Sequence, residues 1–333
     1  MVCLSPQDHY SDRLAELGAE HIALPLDGKS TGAIQELRSF RFIWHFMRSQ
    51  DPDFVFNFTV KMNIYSGLVC ALLKIPFANN ISGLGTAFLH DTWLFRRVRQ
   101  IYGLVNRRAQ CLFFQNEEDL AVFQESELLG DTPFTLLPGS GVDLQHFQLS
   151  RLPRDNPVTF LMIARLLGDK GVREYAAAAS ELKKRGVNAR CLLLGQLGVS
   201  NRTAVAAEEV EAWQAEDVID YLGETDDVRP YIEHAHALVL PSYREGMPRT
   251  VLEAAAMGRP AIVTDVPGCR HAIEPEVTGW LCEVRNSESL TEAMQCFVAM
   301  APEQRQAAGN SARRRMEEHF SEDRVVQAYL NCL

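Results

Sequence analysis

The stretch Val239–Cys269, VLPSYREGMPRTVLEAAAMGRPAIVTDVPGC, decides how the chain is read. Ala237 to Leu240 is a short apolar strand, and Pro241 to Pro248 is a loop holding Glu245 and Gly246. Pro248 or Arg249 opens a helix, with Pro near the first helical position, where its missing N–H costs nothing. Gly258 closes that helix, Arg259-Pro260 bars its continuation, and Ala261 to Val266 is the next strand. Glu245 sits in the loop, and Glu253 lies about one and a half turns into the helix. Between them is a helix N-terminus, whose partial positive charge and free N–H groups suit a phosphate. Carboxylates are poor phosphate ligands but good acceptors for hydroxyls. A ligand with phosphates in the middle and polyols at both ends fits this layout, as a nucleotide sugar does. Spacing alone fits equally well a Glu245 that caps the helix and a Glu253 that is merely solvated.

At 333 residues the chain is long enough for two domains, and its 47% hydrophobic and 23% charged residues are those of a soluble globular protein. The net charge of −10 excludes a general nucleic-acid binder. The charge is uneven: between Ala33 and Leu112 ten Lys/Arg oppose four Asp/Glu, a local +6 against −16 elsewhere. Eight scattered cysteines with no CxxC pair point to free thiols in a reducing cytosol. The longest apolar run, Ile64 to Leu73, is too short to span a bilayer. Met1-Val2-Cys3-Leu4, running straight into Ser5-Pro6-Gln7-Asp8, does not read as a secretory leader, so a cytoplasmic location is expected.

Strands are expected at 1–4, 20–24, 53–58, 76–81, 111–115 and 134–137, with helices at 9–17, 33–48, 61–73 and 93–109 and another after Asn116. Leu144 to Asn156 reads as a linker. A second alternating run follows, with strands at 158–163, 189–194, 218–222, 237–240 and 261–266, and its last helices at 288–300, 302–318 and 321–330. Such alternation predicts an α/β chain with parallel sheets covered on both faces.

Arg165 and Lys170 flank a Gly-containing loop, ARLLGDKG, between a strand and a helix. Two cations so placed can converge on one diphosphate, Arg as a fork and Lys as a point charge. A cation at a helix start works against the dipole, which favours a functional reading over a surface one. Pro138-Gly139-Ser140-Gly141-Val142-Asp143 follows a strand, and its glycines permit close backbone approach to a ligand, or simply a turn. Ser82-Gly83-Leu84-Gly85 is a flexible loop of the first half. Lys61 and Asn63 are weaker candidates near an acceptor. His234 and His236 have no third ligand nearby for a metal. Phe95 to Arg108 is a basic amphipathic stretch of the kind that lies on anionic bilayers.

The run E-G-M-P-R-T-V-L-E at Glu245 to Glu253 resembles the Glu-x7-Glu motif of retaining GT-B glycosyltransferases of family 4, and ARLLGDKG resembles that family's pyrophosphate loop. The pattern KMNIYSG with N-x-I-S-G-L-G is similar to a bacterial subgroup acting on polyprenyl-diphosphate-linked sugars in capsule, O-antigen and glycoprotein glycan assembly. The resemblance covers the whole chain and is strongest from Phe160 to Leu281. It implies two Rossmann-like domains facing across a cleft: 1–145 on the acceptor side, 157–318 holding the donor, and a helix at 319–333 crossing back. It implies that Arg165 and Lys170 grip the donor diphosphate, that Glu245 holds sugar hydroxyls at the reacting carbon, and that Glu253 accepts the ribose hydroxyls. Gly246, Met247 and Pro248 would present backbone to the donor, with Gly139, Gly141, Gly83 and Gly85 as further substrate-binding positions. No metal and no cofactor are implied, only a UDP-hexose or UDP-N-acetylhexosamine donor and a lipid-linked saccharide acceptor, at the cytoplasmic face of the inner membrane. The family's usual acceptor-side His is missing from the Gly83 loop; His90 lies beyond it. Family members open with a strand, Gly-rich turn and helix before a segment like VCLSPQDHYSDRLAELGAEHIALPL, so an N-terminal truncation is expected, a sheet closed over the gap being the other reading. The rival functions are a UDP-sugar epimerase or phosphorylase on the same fold, or a donor-binding remnant without turnover.

Overall fold

The structure is a computed structural model, and it describes residues 1–6, 11–24, 33–83, 93–154, 157–199, 201 and 203–333. The elements in chain order are β1 (Val2–Ser5), α1 (Ser11–Glu16), β2 (Glu20–Ala23), α2 (Ala33–Gln50), β3 (Val55–Phe58), α3 (Val60–Leu73), β4 (Phe77–Ile81), α4 (Trp93–Asn106), β5 (Cys111–Phe114), α5 (Glu117–Glu125) and β6 (Phe134–Leu136). They continue with β7 (Val158–Ile163), α6 (Val172–Lys184), β8 (Ala189–Leu194), α7 (Ala207–Ala215), β9 (Asp220–Tyr221), α8 (Arg229–Glu233), β10 (Ala237–Leu240), α9 (Arg249–Ala256), β11 (Ala261–Thr264), α10 (Cys269–Ala272), β12 (Gly279–Cys282), α11 (Ser287–Ala299), α12 (Pro302–Arg315) and α13 (Glu322–Leu330). The four-residue strand β12 and helix α10 were not expected from the sequence. The helix expected over 302–318 ends at Arg315 and passes into a π-type turn, Met316–Phe320.

The chain forms two compact units, one of residues 1–114, 119–135 and 332–333, the other of 115–118 and 136–331. The division falls at 135/136 instead of 145, and α13 belongs to the second unit, with only Cys332–Leu333 grouped with the first. The expected linker 144–156 also lies within the second unit. The reason is Arg259, whose side chain is wholly buried and donates to the carbonyls of Ser150 (2.8 Å), Arg151 (3.2 Å), Ile232 (2.9 Å), Glu233 (2.8 Å) and Met257 (2.5 Å) and to the Ser150 hydroxyl (2.8 Å). Its guanidinium enters no ion pair among the described residues, and burial, partly opposed by the charge of Glu233, lowers its pKa to about 10.

In the first unit β1 and β2 form a two-stranded parallel sheet, and β3-β4-β5-β6 form a second sheet in that order. Strand β4, FANNI, is buried throughout despite two asparagines. Asn79 is satisfied internally: Asn57 Nδ2 donates to its Oδ1 and its Nδ2 donates to Asn106 Oδ1, both at 2.9 Å. Asn63 Nδ2 donates to the Asn80 carbonyl (2.9 Å) and meets Tyr102 Oη (2.6 Å), while Lys61 pairs with Glu36 at 3.0 Å. Asn63 is therefore a buried part of this network.

In the second unit all ladders are parallel and the order is β12-β11-β10-β7-β8-β9. Strands β7 and β10, VTFLMI and ALVL, are near-continuous apolar runs, as a sheet covered on both faces requires. Counted from β7, the strand order is 6-5-4-1-2-3, so the winding reverses between β7 and β10. In open α/β sheets that switch point, at the carboxyl ends of the strands, is where a crevice for ligands opens.

Candidate functional site

Two loops rise side by side from the switch point. One follows β7 and carries Arg165 and a 3₁₀ turn, Gly168–Lys170, before α6. The other follows β10 and carries Glu245 before α9. Gly171 lets them touch: its φ is +75°, and a Cβ there would lie 2.1 Å from the Pro241 carbonyl oxygen. The Asp169 carbonyl accepts from the Tyr243 N–H at 2.9 Å and from the Ser242 hydroxyl at 3.2 Å. The loop after β11 closes the other side. Thr264 donates its hydroxyl to the Ser242 carbonyl, and a Cβ on Gly268 would meet the Gly246 and Glu245 carbonyl oxygens at 2.3 and 2.6 Å. Asn116 Nδ2 reaches the Gly246 carbonyl at 3.4 Å.

Within this frame Lys170 Nζ lies 2.5 Å from Glu245 Oε1, with side chains only 23% and 13% exposed. The structure thus brings together the ammonium and the carboxylate that the sequence singled out. Arg165 is exposed on the same loop as Lys170, and its guanidinium enters no ion pair among the described residues. Pro248 is buried and precedes α9 without a side-chain cap, which leaves the first N–H groups of the helix open to another acceptor. Glu253 lies within α9, 13% exposed, with Arg249 Nη2 at 3.4 Å. Burial raises its pKa, and the charges of Arg249 and His146 partly oppose that.

The two glycines of 138–143 are occupied by the protein itself. A Cβ on Gly139 would lie 2.5 Å from Met247 Cγ, and one on Gly141 2.6 Å from Glu322 Cα. The close approach these glycines permit is made here by Met247 and the start of α13, which pack against this turn. Gly83 lies at the end of β4 in the first unit with φ +151°, while Gly85 and His90 fall outside the described residues. His234 hydrogen-bonds the Pro230 carbonyl and His236 Nδ1 accepts from the Thr159 N–H, so both serve the backbone. Among the described residues no three potential ligands converge as a metal cluster.

A hollow of 430 Å³ adjoins the Glu245 loop through Met247, with Pro138, Phe320, His271, His319 and Arg324 around it. A larger one of 940 Å³ lies between residues 149–154 and the start of α12, where His236 precedes β10, at the opposite end of that strand from the Glu245 loop. Sequence reasoning missed Gly171 and Gly268, which make the close approaches, and also Tyr243, Glu174 and Asn116. A glycine directly before a helix was the one available sign.

A parallel sheet with a ligand crevice at its switch point, joined in one chain to a second parallel α/β unit, is the GT-B architecture. The chain superposes on a glycosyltransferase from Rickettsia africae with a TM-score of 0.80 at 18% identity, covering 99% of this chain and 88% of that one. It superposes on Anabaena HepE in complex with UDP-glucose with a TM-score of 0.79 at 14% identity, over 99% and 92% of the two chains. The family described as glycosyl transferases group 1 matches residues 146–315, half of the chain, and the chain belongs to it. The chain is also similar to the N,N'-diacetylbacillosaminyl-diphospho-undecaprenol alpha-1,3-N-acetylgalactosaminyltransferase of Campylobacter jejuni, 27% identical over 98% of this chain and 88% of that one.

Proposed function

We propose that this glycosyltransferase moves a hexose or N-acetylhexosamine from a UDP-sugar, with retention, to a polyprenyl-diphosphate-linked saccharide in surface glycan assembly. The observation that carries the reading is the Lys170–Glu245 pair at the switch point, beside an uncapped helix N-terminus. The Campylobacter relative's name supports a diphospho-undecaprenol acceptor, and the HepE complex supports a UDP-sugar donor.

The residues divide the work by charge. Arg165 and Lys170 take the diphosphate and stabilise the charge that grows on it as the bond to the sugar breaks. This supplies the leaving-group stabilisation without a metal ion. An arriving phosphate competes for Lys170, which frees Glu245 to accept donor-sugar hydroxyls. The N–H groups of Gly246 and Met247 and the mouth of α9 face the donor, and Glu253 takes the ribose hydroxyls. The leaving phosphate itself helps to deprotonate the acceptor.

Helix α4 supports work at a membrane surface. Its exposed positions, Trp93, Arg96, Arg97, Gln100, Ile101 and Leu104, recur at helical spacing and form one stripe, and the exposed Arg107 and Arg108 follow directly after the helix. Trp93 is 76% and Leu104 64% exposed, so apolar groups stand among arginines, a composition that docks on anionic headgroups. No helix among the described residues is long and apolar enough to cross a membrane. A peripheral enzyme on the cytoplasmic face of the inner membrane fits both.

Calorimetry with UDP, run beside turnover of a polyprenyl-diphosphate-linked saccharide, tests the assignment. Glu245→Ala should cut turnover about 100-fold with UDP affinity kept, and Arg165→Ala should weaken UDP binding as well. Wild-type behaviour in both variants would remove it.

A further inference from the structure

Tyr243 sits two residues before Glu245, and the family reading gives it no part. Three interactions from three different elements meet on it. Its N–H donates to the Asp169 carbonyl at 2.9 Å. Its hydroxyl donates to Glu174 Oε1 in the first turn of α6 at 2.5 Å. The Arg285 guanidinium lies over its ring, 4.7 Å from the centroid. Arg285 does this from a left-handed backbone, φ +57°, which costs a non-glycine residue about 1 kcal/mol or more.

The Glu174 carboxylate is oriented by this contact. Its Oε2 is buried with no hydrogen-bond partner, so the Tyr243 hydroxyl is the one donor it meets among the described residues. On the far side of the loop Gly268 stands against the Glu245 and Gly246 carbonyls with no room for a Cβ. The segment from Tyr243 to Gly246 is thus braced on one side and walled on the other.

We infer that Tyr243 is a positioning residue for Glu245, the Glu174–Tyr243–Arg285 strut setting the register in which the Glu245 carboxylate meets the donor sugar. The inference rests on the role given to Glu245 above. Burial foremost, and then the Glu174 bond, push the Tyr243 phenol up to about 12, so the hydroxyl remains a donor throughout the range of any turnover assay. A displacement of about 1 Å at a group holding the reacting sugar is enough to cost about 100-fold in rate.

The test is a double-mutant cycle of Tyr243→Phe with Glu245→Ala, reading kcat, the KM for UDP-sugar and UDP affinity by calorimetry. In the wild-type background Tyr243→Phe should lower kcat about 10-fold or more, with KM and UDP affinity within about 3-fold. In the Glu245→Ala background it should change kcat less than about 2-fold, because the group it positions is already gone. Glu174→Gln keeps an acceptor for the hydroxyl and should behave close to wild type, whereas Glu174→Ala should reproduce Tyr243→Phe even if the latter folds poorly. Tyr243→Phe lowering kcat by the same factor in both backgrounds would overturn the inference. So would UDP affinity falling in step with kcat, or full activity in Tyr243→Phe. Full activity in Glu245→Ala alone would instead remove the role of Glu245, and with it this inference.

Discussion

Replacing Gly171 by Ala tests whether the contact across the switch point holds the two loops together. The added Cβ would stand 2.1 Å from the Pro241 carbonyl oxygen, 2.7 Å from its carbon and 2.8 Å from Pro241 Cγ. Ordinary contact is about 3.5 Å, so the loops must part by about 1 Å. That opening breaks the bonds from Tyr243 N–H and Ser242 Oγ to the Asp169 carbonyl, worth about 1 kcal/mol each. The left-handed φ of +75° adds about 1 to 2 kcal/mol for a side chain. The sum is about 3 to 4 kcal/mol. Two compact units make a single unfolding midpoint ill-defined, so the measurement should be local. Amide hydrogen exchange in β7 and β10 should speed up about 100-fold, and turnover should fall by a similar factor as Lys170 and Glu245 separate. Gly186→Ala is the matched control: its φ is +69° with nothing within 4 Å of a Cβ, so it carries the backbone cost alone. If Gly171→Ala exchanges no faster than Gly186→Ala and turns over normally, the close approach does not organise the site.

Three further outcomes are expected. Burial raises the Glu253 carboxyl, and a carboxyl raised in the folded state contributes stability that is present below its ordinary range and lost as pH rises through the raised value. Glu253→Gln should therefore melt above wild type at pH about 7.5, the gap closing below about pH 4, while donor turnover drops; melts superimposable at all pH values would contradict this. Arg259→Met takes the side-chain donor from five carbonyls, leaving those of Ser150, Arg151 and Glu233 to find another partner, and should cost about 3 to 5 kcal/mol in urea unfolding of the second unit, unaltered stability showing that the clamp on 150–151 is idle. Changing Arg96, Arg97 and Arg108 to Gln should weaken binding to anionic vesicles about 100-fold, at about 1 kcal/mol per charge, and equal sedimentation of wild type and variant would exclude the α4 surface.

The central stretch was legible because each element in it has a local cause. Apolar ALVL reads as a buried strand, Pro248 as a helix start and Gly258 with Arg259-Pro260 as its stop, and α9 spans Arg249–Ala256 between them. Lys170 was legible as chemistry because a cation at a helix start is locally unfavourable, whereas Glu245, which suits a helix mouth, was legible only together with Glu253 and the Glu-x7-Glu resemblance. Their pairing was not, since the two residues lie 75 apart in the chain and meet only because β7 and β10 are neighbours. Arg259 was read as a helix stop, which it is, but the same residue ties down 150–151, and a buried guanidinium held by carbonyls leaves no pattern in its own neighbourhood. The buried role of Asn63 was not legible for a similar reason: its partners Asn80 and Tyr102 lie 17 and 39 residues away in the chain. The short strand β12 was missed because GWLC has too few residues for a period to show.

The same long-range logic explains why the Glu245 loop has little structure of its own yet is closely held. Gly171 abuts Pro241, Gly268 abuts Glu245 and Gly246, and Gly139 receives Met247, so each glycine sits on a neighbouring segment and not in the loop it supports. A loop braced this way is ordered before a donor arrives, which removes an ordering cost from binding and keeps the groups that meet the transition state in place. The Lys170–Glu245 pair has the opposite character. Two largely buried charges 2.5 Å apart satisfy one another, but removing either would leave the other stranded. A ligand that offers a phosphate to the ammonium and hydroxyls to the carboxylate can separate them without stranding either, whereas a bare sugar or an inorganic phosphate compensates only one. The frame is therefore fixed and the charge pair exchangeable, and that combination selects for a molecule carrying both groups in one chain of bonds, as a nucleotide sugar does.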